Sequence, residues 1–598
     1  MDPQSEYQAR LGRWKEREEL YDRRHRRVGD LRVLFAVALV VLACSVGRAF
    51  PTMTGVVLAG IVIGLFLSGM VHDRVLALRM TARAAGRFYQ AGLDRLNDCW
   101  VGKGSPGTEF IDPHHPYAVD LDLFGAASVF ELLNMAQTQG GRATLAGWLL
   151  RQADGNEIRA RQKAVKELRD KLELREDLAL LAGDTVVHID TTVLISWANG
   201  PLHLAPAAVR IAAFCLPLLT WGLLIAGELP LFPVALAAQM IFARVYKERV
   251  GAVFESLRTP ARDLNRLAGL FGRLEREKFQ TERLQALQAG WSQDGVAASE
   301  CLRRLARLLD WLDSREHFMV AVLGPLFLLG TQFAFAIEAW RARFGMKIEE
   351  WLRGLAEMEA LSSLAGYAFE RPEDSFPELF PESASPRVEA MGLGHPLIPE
   401  LRSVRNDIDM DSEHRLFVIS GSNMSGKSTW LRALGVNMVL AMAGGPVRAR
   451  QMRLTPLPIG ASIRTLDSLN EGISRFYAEV KRLRQIVELT DQNGRLLFLL
   501  DELLNGTNSH DRRIGAASVV KSLLDRGAMG LITTHDLALT QIVEEVKPYG
   551  ANFHFEDQFS DGRMSFDYRL RSGIVEKSNA LELMRSIGLD VDVSNAKC

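Results

Sequence analysis

The segment Gly421-Ser422-Asn423-Met424-Ser425-Gly426-Lys427-Ser428-Thr429 leaves the least freedom to any fold this chain can adopt. It has the spacing of a phosphate loop, which works only between a strand and a helix. Its flanks agree: Arg415–Ser420 is strand-like and Trp430–Met442 helix-like. Backbone N–H groups of the loop and of the first helical turn then converge on phosphates. Gly421 and Gly426 permit the tight turn, Lys427 brings a cation to the β- and γ-phosphates, and the Ser428 hydroxyl is placed to ligate Mg2+. A parallel sheet with its site at the carboxyl ends of the strands is expected.

Two more strand-like runs follow. Leu496–Leu500 ends in Asp501-Glu502. Asp501 can hold the magnesium shell, and Glu502 can orient or deprotonate an attacking water. Gly530–Thr533 leads into Thr534-His535-Asp536, where an imidazole beside the γ-phosphate can sense or stabilise transferred charge. Lys427, Glu502 and His535 are the expected catalytic set, ATP and Mg2+ the expected cofactors, and ATP hydrolysis the expected reaction.

The earlier part of the chain follows another pattern. With 48% hydrophobic and 24% charged residues it is neither disordered nor fibrous. Mean hydropathy is near zero, yet the apolar residues are bunched. Val33–Gly47 and Ala49–Val71 are uncharged, as are Ile211–Gly227 and Leu229–Ala243. A helix needs about 20 apolar residues to cross the hydrocarbon core. Ala49–Val71 meets that, whereas Val33–Gly47 and Leu229–Ala243 are short. Each pair has a short connection, and arginines (among them Arg26, Arg27, Arg32, Arg74, Arg79, Arg210, Arg244 and Arg249) crowd the outer flanks. Two transmembrane helical hairpins are expected, entering and leaving from the cytoplasm. Phe318–Ile337 is also uncharged, but one further crossing would carry the nucleotide site outside. It is expected as a buried helix of the soluble core. The polar first 30 residues do not read as a signal peptide.

Lys and Arg number 71 against 72 Asp and Glu, so a DNA contact needs a local patch. Arg258, Arg262 and Arg266 recur every fourth residue, and Arg273, Arg276, Lys278 and Arg283 extend the run. Such a stripe suits DNA phosphates or anionic lipid headgroups, and equally a solvated face with Glu255, Glu275 and Glu277 interspersed. The five cysteines are too scattered for a zinc site or a disulfide framework.

From about Arg415 to Leu589 the chain resembles the ATPase domain of the MutS family of DNA mismatch-repair proteins. The phosphate loop with Asn423-Met424 inside it, Asp501-Glu502 before Gly506-Thr507, Thr534-His535 and Gly394-His395-Pro396 carry the resemblance. Leu469–Glu479 resembles the segment that brings a serine, here Ser474, to the nucleotide of the partner subunit. The hairpin Asn552–Tyr568 and the segment Ser578–Leu589 resemble the family's dimerising end. Upstream, Asp120–Phe124, Leu132–Asn134, Gly141-Arg142, Trp148–Leu150 and Glu357–Ala368 resemble its helical core. The resemblance implies an α/β P-loop NTPase domain of the ABC type, DNA binding, and a homodimer joined through that domain.

Two departures stand out. Only about 118 residues precede the core-like segment, without the family's mismatch-reading Phe-x-Glu wedge. Leu503-Leu504-Asn505 stands where the family usually has a glycine and an arginine.

The resulting map has an N-terminal cytoplasmic helix (1–30), hairpins at 31–72 and 211–243, and an all-α core or clamp over 73–210 and 244–371. A proline-rich linker (372–400), the ATPase domain (401–577) and a dimerisation helix (578–598) complete it. The expectation is a MutS-like DNA-binding ATPase tethered to the cytoplasmic membrane, with the ATPase domain and both termini in the cytoplasm. A membrane clamp or scaffold without mismatch recognition remains an alternative. A transporter ATPase is a further one, although no Leu-Ser-Gly-Gly-Gln precedes Leu496.

Overall fold

The computed structural model describes the chain except for residues 1, 46–50, 183–189, 203–206, 258–260, 293–294, 314–323, 325, 382–384, 465–474, 561–562 and 576–598. It divides into two compact units, each discontinuous in sequence. One takes residues 1–97, 136–141 and 171–359, and the other 98–135, 142–170 and 360–598.

The first unit is helical. Helices α1 (Pro3–Ser45) and α2 (Pro51–Leu96) run antiparallel. Contacts stepping in opposite directions fix their register: Tyr7 meets Tyr89 edge-on at 5.6 Å, Glu18 pairs with Arg83 at 2.7 Å, and His25 meets His72 at 4.7 Å. Glu176 on α3 (Leu172–Ala182) ties their lower ends by accepting from Trp14 Nε1 at 2.8 Å and Arg10 at 3.2 Å of α1 and from the Tyr89 hydroxyl of α2. Then come α4 (Ala207–Ile225), α5 (Phe232–Leu257), α6 (Ala261–Leu274), α7 (Ala298–Asp313) and α8 (Leu329–Glu370), the last belonging to this unit through Glu359. Helices α6 and α7 are amphipathic, with Leu264, Leu267, Phe271 and Leu274 of α6 and Leu302, Leu305 and Leu309 of α7 buried at helical spacing.

The apolar helices behave differently. Val33, Leu34 and Val37 of α1, Val62, Ile63 and Phe66 of α2, Phe214 and Leu218 of α4, and Val234 and Ile241 of α5 are each more than half exposed. The expectation of two hairpins that both span is not met in full. Among the described residues one helix, over Ala59–Leu96, is long and apolar enough to cross a membrane, and Val209–Ile225 is a shorter apolar helix. Only Val33–Ser45 of the first run lies in the described part of α1, and Arg244 ends the run in α5 after the 12 residues 232–243. In the stretch Phe318–Ile337, residues 318–323 and 325 lie outside the described residues. In its remainder Leu328, Thr331, Ala334, Phe335 and Ile337 are buried.

The second unit carries the strands: β1 (Glu378–Leu379), β2 (Val388–Leu393), β3 (Asn406–Met410), β4 (Leu416–Ser420), β5 (Gln451–Leu454), β6 (Ile459–Ser462), β7 (Leu497–Asp501), β8 (Met529–Thr534), β9 (Gly550–Ser560) and β10 (Arg563–Ser572). Six form a sheet in the order β10-β9-β4-β8-β7-β6, parallel except for β10. Strands β4, β7 and β8 are continuous apolar runs because both faces are covered. Helices α10 (Arg475–Asn493) and α11 (Ser509–Asp525) bury Leu483, Ile486, Val520 and Leu523 with Val418, Phe498, Leu500 and Ile532. Helix α9 (Lys427–Ala443) approaches Leu499 and Leu121 through Gly435, where a Cβ would stand 2.8 Å and 2.6 Å from their methyl groups.

A second sheet, β1-β5-β2-β3, has no counterpart in the sequence reading. Residues 372–400 are therefore not an open linker, since β1 pairs with β5 and β2 lies between β5 and β3. Asp120, assigned above to the helical core, belongs with the sheets: it is buried and accepts from Ile463 N at 2.7 Å, Arg464 N at 2.8 Å and Arg482 at 2.8 Å. The segment 578–598 expected to dimerise lies outside the described residues.

Candidate functional site

Strands β4, β8 and β7 are neighbours, with Ser420 opposite Thr534 and Asp501 opposite Thr533. Their carboxyl ends set the phosphate loop, His535 and Asp501-Glu502 in one row, as expected from their order in the chain. Met424 (φ 70°) and Gly426 (φ 102°) are left-handed, which curls the loop backbone into an anion-binding concavity. At Gly426 a side chain would be both strained and crowded, because a Cβ would lie 3.0 Å from the Tyr568 ring.

Lys427 is buried, and its Nζ donates to the carbonyls of Gly421 at 2.9 Å and Ser422 at 2.7 Å. Burial lowers its pKa, opposed by the charges of Glu502 and Asp501. The hydroxyls of Ser422 and Ser425 and the indole N–H of Trp430 are buried without a hydrogen-bond partner. Unmet donors clustered at a cationic loop fit a group rich in anionic oxygens. A cavity of ≈ 920 Å³ opens here. Polar Asn423, Lys427, Ser428, Thr429 and Glu502 line it together with apolar Leu397, Ile398, Phe555, Phe566 and Tyr568. A lining of both kinds suits a phosphorylated aromatic ligand.

Glu502 has a left-handed backbone (φ 48°), as does Leu504 (φ 56°). Strain of this kind persists only where neighbours impose it. Glu479 accepts from Leu504 N at 2.6 Å, while Arg512 donates to the carbonyls of Leu504 at 3.2 Å and Asn505 at 3.2 Å. The Glu502 carboxylate is thereby presented to His535 Nδ1 at 3.0 Å through one oxygen and to Asn505 Nδ2 at 3.0 Å through the other. Asp501 accepts a short hydrogen bond from Thr533 Oγ1. Ser428 and Asp501 offer the hard oxygens that Mg2+ takes, since a magnesium site typically needs one or two protein oxygens beside phosphates.

Three contributors escaped the sequence reading. His395 lines the cavity, and burial, aided by Arg432, pushes its pKa down to about 4. Its Nδ1 accepts from Leu397 N at 3.2 Å, so the ring is neutral. Tyr568 comes from a bulge in β10 between Phe566 and Leu570, held by Asn406, which donates to Tyr568 O at 2.9 Å and accepts from Leu570 N at 2.8 Å. Asn505 touches the acid itself. Only Asn505 had a usable signal, a side-chain amide three residues after a carboxylate in a turn.

Ser474 and Arg258 lie outside the described residues, and of the Arg262 side chain nothing is described. Of the rest of the basic run, Arg266, Arg273, Arg276 and Arg283 are engaged inside the first unit. Arg266 pairs with Asp263 at 3.2 Å, Arg273 with Asp177 at 2.6 Å and Glu277 at 2.7 Å, and Arg283 with Glu357. Arg276 donates to Gly272 O at 2.8 Å. Acids at helical spacing and on facing helices account for this, so these arginines do not form an open stripe.

Residues 417–597 match the family MutS domain V. Endonuclease MutS2 of Thermus thermophilus is 32% identical over 215 residues, covering 35% of this chain and 27% of that protein. DNA mismatch repair protein MutS of Natronomonas pharaonis is 31% identical over 256 residues, covering 41% and 28%. DNA mismatch repair protein MutS 2 of Halobacterium salinarum is 32% identical over 246 residues, covering 40% and 27%. The chain thus spans about a quarter of the length of the curated relatives it matches, and its last third carries a MutS domain V.

Proposed function

We propose that this chain is a MutS-like, magnesium-dependent ATPase that acts on DNA while held at the cytoplasmic membrane, two copies meeting through their ATPase domains. The observation that carries this reading is the row of phosphate loop, His535 and Asp501-Glu502 at neighbouring strand ends, with the loop and Glu502 lining one cavity, inside a matched MutS domain V. The loop and Lys427 hold the β- and γ-phosphates, and the apolar lining of the cavity takes the base. Ser428 and Asp501 would hold Mg2+, which would supply charge neutralisation at the phosphates. Glu502, fixed by His535 and Asn505, accepts the proton of the water whose oxygen bonds to the γ-phosphorus as the bond to ADP breaks. Ser474 reaches the nucleotide of the partner subunit.

The names of the relatives support DNA as partner. The engaged arginines of the first unit favour a second reading, in which the ATP cycle drives a membrane clamp without DNA. The transporter reading finds no support in the family match. Membrane attachment is supported by the exposed apolar faces of α1, α2, α4 and α5, since contiguous apolar surface on this scale marks a membrane or protein contact. The deciding experiment measures ATP hydrolysis by detergent-purified full-length chain with homoduplex, mismatched and branched DNA added separately. Magnesium-dependent turnover that responds to DNA is expected. Turnover indifferent to all three would leave the clamp, and no turnover would remove the enzyme.

A further inference from the structure

The uncharged stretch ending at Ile337 packs against the hairpin of α4 and α5. Leu326 O accepts from Trp221 Nε1 of α4 at 3.0 Å and from Gln239 Nε2 of α5 at 2.6 Å. Phe327 stacks on the Trp221 ring at 5.2 Å, and Gln332 Nε2 donates to Ala213 O of α4 at 2.7 Å. From these contacts, and resting on the membrane reading above, we infer that Leu326–Ile337 is a third membrane-embedded element, seated at hydrocarbon depth on the α4–α5 hairpin, whose exposed faces meet lipid acyl chains.

Depth follows from helix rise. Trp221 stands four residues before Ile225, the end of α4, and Gln239 seven after Phe232, the start of α5. At about 1.5 Å per residue the Leu326 carbonyl lies about 6–10 Å inside the hairpin tip. Ala213 is twelve residues from the same end, which puts Gln332 about 18 Å in. In a hydrocarbon core about 30 Å thick, that range is the interior and not the headgroup layer.

The polar chemistry fits that depth. Gln239 is completely buried in an otherwise apolar helix pair. In lipid every such group must find a protein partner, and irregular backbone survives only where it is covered. The irregular backbone is at Phe327–Leu328: Leu328 is left-handed (φ 51°), and helical bonding resumes with Gln332 N to Leu328 O at 3.0 Å. The Leu326 carbonyl precedes that helical bonding, and the two hairpin donors satisfy it.

The hairpin that seats it is itself exposed: Ile211, Phe214, Leu218 and Leu219 of α4 and Val234 and Ile241 of α5 are all more than half exposed, whereas in the element Leu328, Ala334, Phe335 and Ile337 are buried and Phe327 is exposed. Both flanks of the stretch are cationic, with Arg303, Arg304 and Arg307 on α7 and Arg343 and Lys347 on α8. Arginine and lysine on both sides assign the flanking helices α7 and α8 to the cytoplasm, which adds no net crossing.

The test uses the full-length chain with its native cysteines replaced, reconstituted into vesicles of phosphatidylcholine and phosphatidylglycerol. Single spin labels are placed at Leu329→Cys in the element, Val234→Cys on the hairpin and Asp409→Cys as a water-exposed reference. Collision with oxygen against a nickel chelate reads depth. Leu329 and Val234 are both expected to favour oxygen and exclude nickel, with Ala336→Cys shallower than Leu329. Nickel access at Leu329, or exclusion of both reagents there, while Val234 favours oxygen overturns the inference and leaves the membrane reading standing. Nickel access at both positions removes the membrane reading and this inference with it. In a Trp221→Phe, Gln239→Leu background the oxygen preference at Leu329 should be lost while Val234 keeps its own. An unchanged Leu329 would show that these donors do not seat the element.

Discussion

The phosphate loop and the α4–α5 hairpin treat buried polar groups in opposite ways. At the loop, Ser422, Ser425 and Trp430 keep buried donors without partners, and Lys427 sits among them at the wall of a cavity. At the hairpin, the amides of Gln239 and Gln332 and the indole of Trp221 meet backbone carbonyls at hydrogen-bond distance. Unmet donors beside a void cost stability and make sense only if a ligand supplies the acceptors. Donors capped by carbonyls hold the fold together and leave nothing to bind. The same residue chemistry therefore marks a site in one place and a joint in the other.

That contrast is broken most directly at the acid. Glu502→Gln keeps the shape and both neighbours while removing the base, so turnover should fall by about 10²–10⁴-fold with MgATP affinity retained. Steady-state hydrolysis beside equilibrium binding of a fluorescent ATP analogue checks it, and near-normal turnover would assign the base elsewhere. Lys427→Ala should lower kcat/KM by about 10²–10³-fold, the scale seen when a donor to transition-state charge is removed. Its thermal midpoint should hold or rise, because a buried cation is a desolvation cost. A large drop in that midpoint would make Lys427 a structural residue and erase the distinction from the hairpin.

The site was legible because its parts are coded by short spacings. Gly421–Thr429, Asp501-Glu502 and His535 each sit at the end of a continuous apolar run, and the strand order β4-β8-β7 then has to bring them together. The apolar lining of the cavity was not legible. Tyr568 reaches Gly426 through a bulge that depends on Asn406, more than 160 residues away in sequence, and no local pattern encodes that. The second sheet escaped for a similar reason, since β1 has two residues and its partner β5 follows it by about 70 positions. In the helical unit the periodicity located the helices but not their surroundings. An apolar stripe reads the same whether it faces protein or lipid, and the basic run from Arg266 to Arg283 read as open because its acidic partners Asp177 and Glu357 are distant in sequence.

A charge on the outer face of the hairpin sharpens the comparison from the other side. Leu218 is more than half exposed on α4, so Leu218→Arg leaves the protein interior untouched. If that face meets lipid, an arginine near mid-bilayer opposes insertion by about 2.5–3.5 kcal/mol. The membrane-bound fraction after flotation should drop while ATP hydrolysis in detergent stays normal. On a water-facing surface the same change would be worth within about 0.5 kcal/mol, and the bound fraction would not move.

The smallest effect is expected at His395, where the comparison can be followed by pH alone. Its ring is buried in the cavity wall beside Arg432, accepts from Leu397 N, and has its pKa pushed down to about 4. In the unfolded chain the same group titrates near its ordinary 6.5. Between these values the unfolded state takes up a proton that the folded state refuses, so stability is intact above pH 6.5 and declines as pH falls toward 4. The full loss is about 3 kcal/mol, reached gradually across that window. His395→Gln cannot titrate and should remove that part of the slope, leaving among others His115, whose pKa burial also lowers, and Glu359, which burial raises to about 7 and which opposes the loss. Urea midpoints of both proteins in detergent from pH 7 to pH 4 provide the check. Parallel pH profiles would mean that His395 protonates in place, and a charged imidazole would then face the apolar lining of the cavity where a neutral wall is required for a nucleotide base.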